Sequence, residues 1–273
     1  MKLKPAQTVL LTGASGGLGK YIARALAAHG LNQALVAFPG KDLPPLKQEL
    51  ETNGISAHYL VADLRSREER ARVVDEVNRV FGPIDILINN AGVELTTPYH
   101  ELSEDDVHSV IEVNLEAPMQ LTRMVIPKML ERDAGHIVNM SSLAGKAGPA
   151  YQEPYAATKA GLIEFTMSLR ETYLGSGVSA SVICPGFVEA GIYTRHREES
   201  GCSAPALLGT SRPETVGRAI VRAIQKDIPQ IIINPYPVRP LLALTQISPR
   251  LGSWLARSMG ANEFFKRVYE TRK

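Results

Sequence analysis

The chain has 273 residues, 44% apolar and 21% charged, enough to bury a full core in one α/β domain. A formal charge of +2 gives no overall attraction to nucleic acid, and two cysteines, Cys184 and Cys202, exclude a disulfide framework. The six histidines lack metal-ligand spacing, so no metal is expected. No apolar run approaches the ~20 residues of a membrane span, and Met1–Pro5 leads into a strand without a signal-peptide core. A reducing, cytoplasmic setting is the expectation.

Thr8–Leu11 is a short apolar run, the pattern of a strand buried on both faces. It leads directly into Thr12-Gly13-Ala14-Ser15-Gly16-Gly17-Leu18-Gly19, after which Leu18, Ile22 and Leu26 recur at helical spacing until Gly30. Strand, glycine-rich turn and helix suit a phosphate: glycines let the backbone approach, and free N–H groups with the helix dipole face the anion. The same residues fit G-x-S-x-G, which would make Ser15 the nucleophile of an α/β-hydrolase. That elbow normally follows several strands; one precedes it here, and the phosphate turn ranks first.

The spacing predicts strands at Ala34–Phe38 and Ser56–Val61 with a helix from Leu43 to Leu50 between them. Asp63 precedes a charged helix, Ser66–Val80, and the strand Ile84–Ile88 ends at Asn89-Asn90-Ala91-Gly92. Acids after Ser103 mark the start of a helix that carries Asn114 and is expected to bend near Pro118 on its way to Leu130. His136–Met140 is a strand ending at Ser141-Ser142, and a helix carries Tyr155 and runs to about Leu174. Val178–Cys184 is a strand ending at Pro185-Gly186; a polar loop is predicted to Arg212, then a helix Pro213–Lys226 and a strand Gln230–Ile233. Strands alternating with helices imply an α/β fold with a parallel sheet covered on both faces, whose ligands lie beyond the carboxyl ends of the strands.

Tyr155 and Lys159 stand four apart, on one face of their helix. A phenol ionises near ~10, about three units too high for easy proton exchange at neutral pH, and a fixed cation beside it favours the phenolate. The pair therefore reads as a tuned general acid/base, with Lys159 expected to lower the tyrosine's pKa.

These motifs, in this order and at these spacings, resemble the classical short-chain dehydrogenase/reductase family over residues 8 to about 190. The resemblance implies a Rossmann-like, doubly wound sheet of seven mainly parallel strands, a homodimer or homotetramer, and hydride transfer between a nicotinamide and a small-molecule carbonyl/alcohol pair. It implies that Tyr155 is the general acid/base, that Lys159 lowers its pKa and holds the nicotinamide ribose, and that Ser142 hydrogen-bonds the carbonyl oxygen. Asn114 would hold a water that passes protons to Lys159, although a buried asparagine bonded only to backbone competes with that reading. The implied cofactor contacts are Gly13, Ser15, Gly17, Leu18, Gly19, Asp63, Leu64, Asn90, Tyr155, Lys159, Pro185, Gly186 and Val188. Asp63 would contact the adenine or cap the following helix.

The cofactor that the resemblance implies is NAD(P). Where NAD-using relatives carry an acid after the second strand, this chain has Phe38-Pro39, and Lys41 stands within reach of a 2′-phosphate, so the reading leans to NADP. Ala190 occupies the place of a threonine that the family often uses near the nicotinamide amide, and Thr194 is the nearest hydroxyl.

Residues 1–233 read as the dinucleotide-binding and catalytic domain and 234–273 as a helical C-terminal extension. Seven Lys/Arg against two Glu give that extension a charge of +5. It is expected to pack on the core or on a partner subunit. A lid over an apolar-substrate cleft comes second, and contact with an anionic membrane surface third. The functional expectation is an NAD(P)-dependent oxidoreductase of an apolar carbonyl/alcohol pair. Its alternative is a dinucleotide-binding sensor or scaffold without chemistry.

Overall fold

The computed structural model describes residues 1–273, the side chain of Ala256 excepted. Seven strands, β1 (Thr8–Thr12), β2 (Asn32–Ala37), β3 (Ala57–Val61), β4 (Ile86–Asn89), β5 (Gly135–Met140), β6 (Val178–Pro185) and β7 (Gln230–Ile233), form one sheet in the order β3-β2-β1-β4-β5-β6-β7. Every neighbouring pair is parallel. The order reverses between β1 and β4, which opens a crevice beyond their carboxyl ends.

The pleat of β1 explains how one apolar run serves two layers. Val9 and Leu11 join one core with α1 (Gly19–Ala27), α2 (Leu43–Thr52) and α9 (Pro213–Lys226). Leu10 joins the other, with α3 (Arg67–Phe81) and α5 (Ala117–Leu130). The helix starts follow local chemistry. Ser66 caps α3 by accepting from the Glu69 N–H at 3.1 Å, and Ser103 and Asp106 form a capping box on α4 (Glu104–Ile111).

Three features depart from the pattern expected of the sequence. The polar loop after Gly186 contains a helix, α8 (Ile192–Ser200), of which Tyr193 and His196 are buried; a buried histidine reads as polar in sequence and hides the apolar side. A short helix, α6 (Ala144–Ala147), follows β5 and precedes α7 (Glu153–Thr172). The helix carrying Asn114 is distorted at Asn114 itself, where residues 112–116 form a turn of π-helix before Pro118, with the Ala117 N–H on the Glu112 carbonyl. Pro118 has no N–H to give the Asn114 carbonyl four residues earlier.

The extension forms α10 (Arg239–Ile247), α11 (Pro249–Ser258) and α12 (Ala261–Thr271). α12 buries Phe264, Phe265 and Val268 against Tyr193 and Phe187, with the Phe187 and Phe264 rings 5.1 Å apart. α10 and α11 fold on each other at Gly252, where a Cβ would press on the Thr245 backbone.

His136 on β5 is buried, and its Nε2 donates to the Ser181 hydroxyl at 2.9 Å, whose own proton goes to the Ile228 carbonyl. Burial holds its pKa down at about 3, against 6.5 in an unfolded chain. Between those values the unfolded chain binds the extra proton, so this residue's contribution is complete above pH 6.5 and is lost as the pH falls towards 3. The expected loss is about 1.4 kcal/mol per pH unit. Urea unfolding from about pH 4 to 7 should show that slope, and His136→Gln should flatten it; an unchanged slope in the variant would assign the acid sensitivity to other groups.

Candidate active site

A cavity of about 760 Å³ opens at the crevice and brings together most of the residues singled out in the sequence. Gly13, Gly17, Leu18, Asn90, Ser142, Tyr155, Lys159, Pro185, Gly186 and Val188 line it. Ser15, Gly19, Asp63 and Leu64 lie outside its wall, and Asn114 is buried behind it.

The glycine turn is built for close approach. Gly13 has φ +64°, and a Cβ on it would come within 2.7 Å of the Ala91 Cα. On Gly17 a Cβ would overlap the backbone of Gly191 at the head of α8, and on Gly19 it would overlap the Gly13 carbonyl. The Asn90 amide donates to the Thr12 and Gly13 carbonyls at 3.1 and 3.0 Å, while the Thr12 hydroxyl accepts from the Asn90 and Ala91 N–H groups. Asn90 thus ties the turn after β1 to the end of β4.

α7 presents Tyr155 in its first turn and Lys159 one turn later. Lys159 is 4% exposed; its Nζ donates to the Met140 carbonyl at 2.9 Å and lies 5.5 Å from the centre of the Tyr155 ring. An ammonium carries three donors, so two remain for a ligand. Burial lowers its pKa to about 8, which leaves it protonated at neutral pH. Tyr155 is displaced upward. Burial pushes the phenol above its usual value, a nearby Glu94 carboxylate adds to the rise, and the Ser142 hydroxyl only partly offsets it.

Ser141 and Ser142 divide their labour. Ser141 is buried and its hydroxyl donates to the Lys159 carbonyl at 2.7 Å, pinning α7 to β5, whereas Ser142 faces the cavity. Asn114 exchanges two 2.8 Å hydrogen bonds with the backbone of Val93 and donates to the Thr158 hydroxyl at 3.4 Å. Gly92 leaves space between them: a Cβ there would lie 3.3 Å from Asn114 Oδ1 and 3.4 Å from Lys159 Nζ.

Asp63 neither caps α3, a role Ser66 fills, nor has a free carboxylate. Arg65 chelates it through Nε and Nη2 at 3.0 and 2.6 Å and holds its pKa low. Leu64 is buried and its carbonyl accepts from Arg70.

A buried polar cluster in the cavity wall carries no mark in the residue pattern. Glu94 accepts from the Thr96 hydroxyl and the Gln152 amide on one oxygen, and from His196 Nε2 at 2.7 Å on the other, with Arg195 at 3.5 Å. Burial alone would raise the Glu94 pKa, but His196, Thr96 and Arg195 together hold it below the usual carboxylate value. A carboxylate accepts only, so the Gln152 NH₂ must face Glu94. Gln152, Arg195 and His196 all line the cavity.

The fit to a dinucleotide is good: a glycine turn after β1 that lines the cavity at Gly13, Gly16 and Gly17, and spare donors on Lys159. α10 and α11 roof the cavity through Leu241, Leu242, Pro249 and Gly252, and the wall is mainly apolar.

Comparison with known proteins agrees with this geometry. Residues 7–201 match the sequence profile of short chain dehydrogenase. The chain is 39% identical over 271 residues to the ketoacyl reductase HetN of Nostoc sp. strain PCC 7120, covering 97% of this chain and 93% of that protein. It is 36% identical over 186 residues to the acetoacetyl-CoA reductase of Allochromatium vinosum, covering 67% and 76%. Among solved structures it superimposes on a single-residue variant of the actinorhodin polyketide ketoreductase with NADPH, with a TM-score of 0.77, 29% identity and coverage of 83% and 95%. It also superimposes on a metagenomic short-chain oxidoreductase in complex with NADP, with a TM-score of 0.73, 30% identity and coverage of 86% and 100%. With a profile match over most of its length and a relative aligned almost end to end, the chain belongs to the short-chain dehydrogenase family of oxidoreductases.

Proposed function

We propose that this protein is an NADP(H)-dependent reductase of 3-oxoacyl thioesters, with Tyr155 as the proton donor. The observation that carries this reading is the convergence of Tyr155, Ser142 and the buried Lys159 with the glycine turn in one largely apolar cavity. The relatives named as ketoacyl and acetoacetyl-CoA reductases supply the substrate class. NADP is favoured by the absence of an acid at Phe38-Pro39, by the nearby Lys41, and by the NADPH and NADP bound to the structural neighbours.

When bound, NADPH supplies the hydride. Gly13 and Gly17 would let backbone N–H groups approach its phosphates, and the two spare donors of Lys159 would hold the ribose. Ser142 donates to the substrate carbonyl oxygen as negative charge develops there, and Tyr155 delivers the proton to that oxygen. A phenol kept protonated by burial suits an acid in carbonyl reduction. Lys159 then passes a proton back to Tyr155 from a water held beside Asn114.

The test is a titration with NADPH and with NADH, followed by NADPH oxidation in the presence of acetoacetyl-CoA and longer 3-oxoacyl thioesters. Tighter binding of NADPH and thioester-dependent oxidation are expected. NADPH binding with no turnover across the thioester and ketone panel would replace the reductase by a cofactor-binding sensor or scaffold.

A further inference from the structure

The α10–α11 hairpin carries two apolar sides. One roofs the cavity through Leu241, Leu242 and Met259. The other leaves Ile247 82%, Trp254 58% and Leu251 44% exposed. A helix in water normally buries one apolar stripe and wets the opposite face, so apolar groups on both sides call for a partner.

The outward set is ordered. Arg250, Trp254 and Arg257 follow one another at single-turn spacing along α11, with Leu251 beside them, and Arg239 opens α10. From Ile228 to Asn262 the chain has no Asp, Glu or Lys. Its three arginines in that stretch have no ion-pair partner among the described residues, whereas Lys266 and Arg267 of α12 pair with Glu270 and Glu263.

Charge decides between occupants. A second copy docked about a two-fold axis would set arginine against arginine with no acid to answer them. A bilayer with anionic headgroups matches every group on the face: arginines meet phosphates, the indole sits at headgroup depth, and Ile247 and Leu251 reach the acyl boundary. We infer that the α10–α11 hairpin docks on an anionic bilayer surface, placing the roof of the substrate cavity against lipid. No helix among the described residues is long and apolar enough to cross a membrane, so the attachment is peripheral. This goes beyond the reductase reading and is measured without turnover.

Trp254 is the only tryptophan of the chain, so its emission reports this face alone. The full-length protein is titrated with vesicles of equimolar phosphatidylglycerol and phosphatidylcholine, and with vesicles of phosphatidylcholine only. The expected result is a blue shift with the anionic vesicles, together with co-sedimentation about tenfold stronger than on the neutral ones. The double variant Arg250→Glu/Arg257→Glu should lose both effects while keeping the wild-type circular dichroism and melting curve. The inference is overturned if neither vesicle shifts the emission or sediments the protein. A shift that depends on protein concentration without vesicles would overturn it in favour of a second copy. A shift produced by an acidic acyl carrier protein and by neither vesicle would assign the face to a soluble partner instead.

Discussion

Tyr155→Phe should lower thioester-dependent NADPH oxidation by about 10³-fold, the upper-middle range for loss of a positioned general acid. The substitution removes one oxygen from a packed ring and leaves Lys159 on the Met140 carbonyl, so NADPH affinity should stay within about threefold. The two readouts separate the reaction from the scaffold. Initial rates with acetoacetyl-CoA measure the first, and nicotinamide fluorescence the second. Retained turnover in the variant would show that the proton comes from another group, and Ser142 would be the next to test. Loss of cofactor binding would mean that the hydroxyl holds the nucleotide rather than serving the carbonyl.

Glu94→Ala should be the most destabilising single change in the cavity wall, by about 3–5 kcal/mol, because it leaves His196, Gln152 and Thr96 facing one another without an acceptor. For a chain of this size that lowers the melting temperature by roughly 10 °C. Glu94→Gln keeps the shape and should cost about 1–3 kcal/mol. The folded pKa of Glu94 is depressed, so its contribution is present above the unfolded carboxylate value. It is lost only as the pH falls through the lower, folded one. The charge also reaches the active site: Glu94 raises the pKa of Tyr155, so Glu94→Gln should move the pH profile of alcohol oxidation to lower pH. Thermal melts and pH–rate profiles of the two variants test both parts. A Glu94→Ala variant that melts within about 2 °C of the wild type would show that water or a rearranged loop replaces the carboxylate.

The fold was legible because a parallel sheet buried on both faces writes its strands as short, mainly apolar runs, as Thr8–Leu11 and Val178–Cys184 do. The glycine turn and the Tyr155–Lys159 pair were legible because each is a short-range spacing. α8 was not, since its inward side is one tyrosine and one histidine. The Glu94 cluster could not be seen at all: its partners stand 58 and 102 residues away, and only the packing of three separate segments brings them together. The sign of the Tyr155 shift escapes the pattern for a related reason. Spacing reveals a neighbouring cation, but the cost of burying a phenolate depends on everything packed around it. Asp63 shows a third kind of gap: its partner Arg65 is two residues away, yet nothing in the pattern says that the arginine folds back onto it.

The π-turn at residues 112–116 has a consequence for how such a site arises. Each residue advances a helix by about 100°, so one additional residue turns everything beyond it onto a new face. Here α4 before the turn and α5 after it each keep an apolar side on the protein, and the surplus is absorbed where Asn114 sits. The regular ladder is broken there: the Ala117 N–H goes to the Glu112 carbonyl five residues back, and Pro118 has no N–H to offer Asn114. The break in the helix therefore falls on the residue whose side chain ties it to the Val93 backbone and to Thr158 of α7.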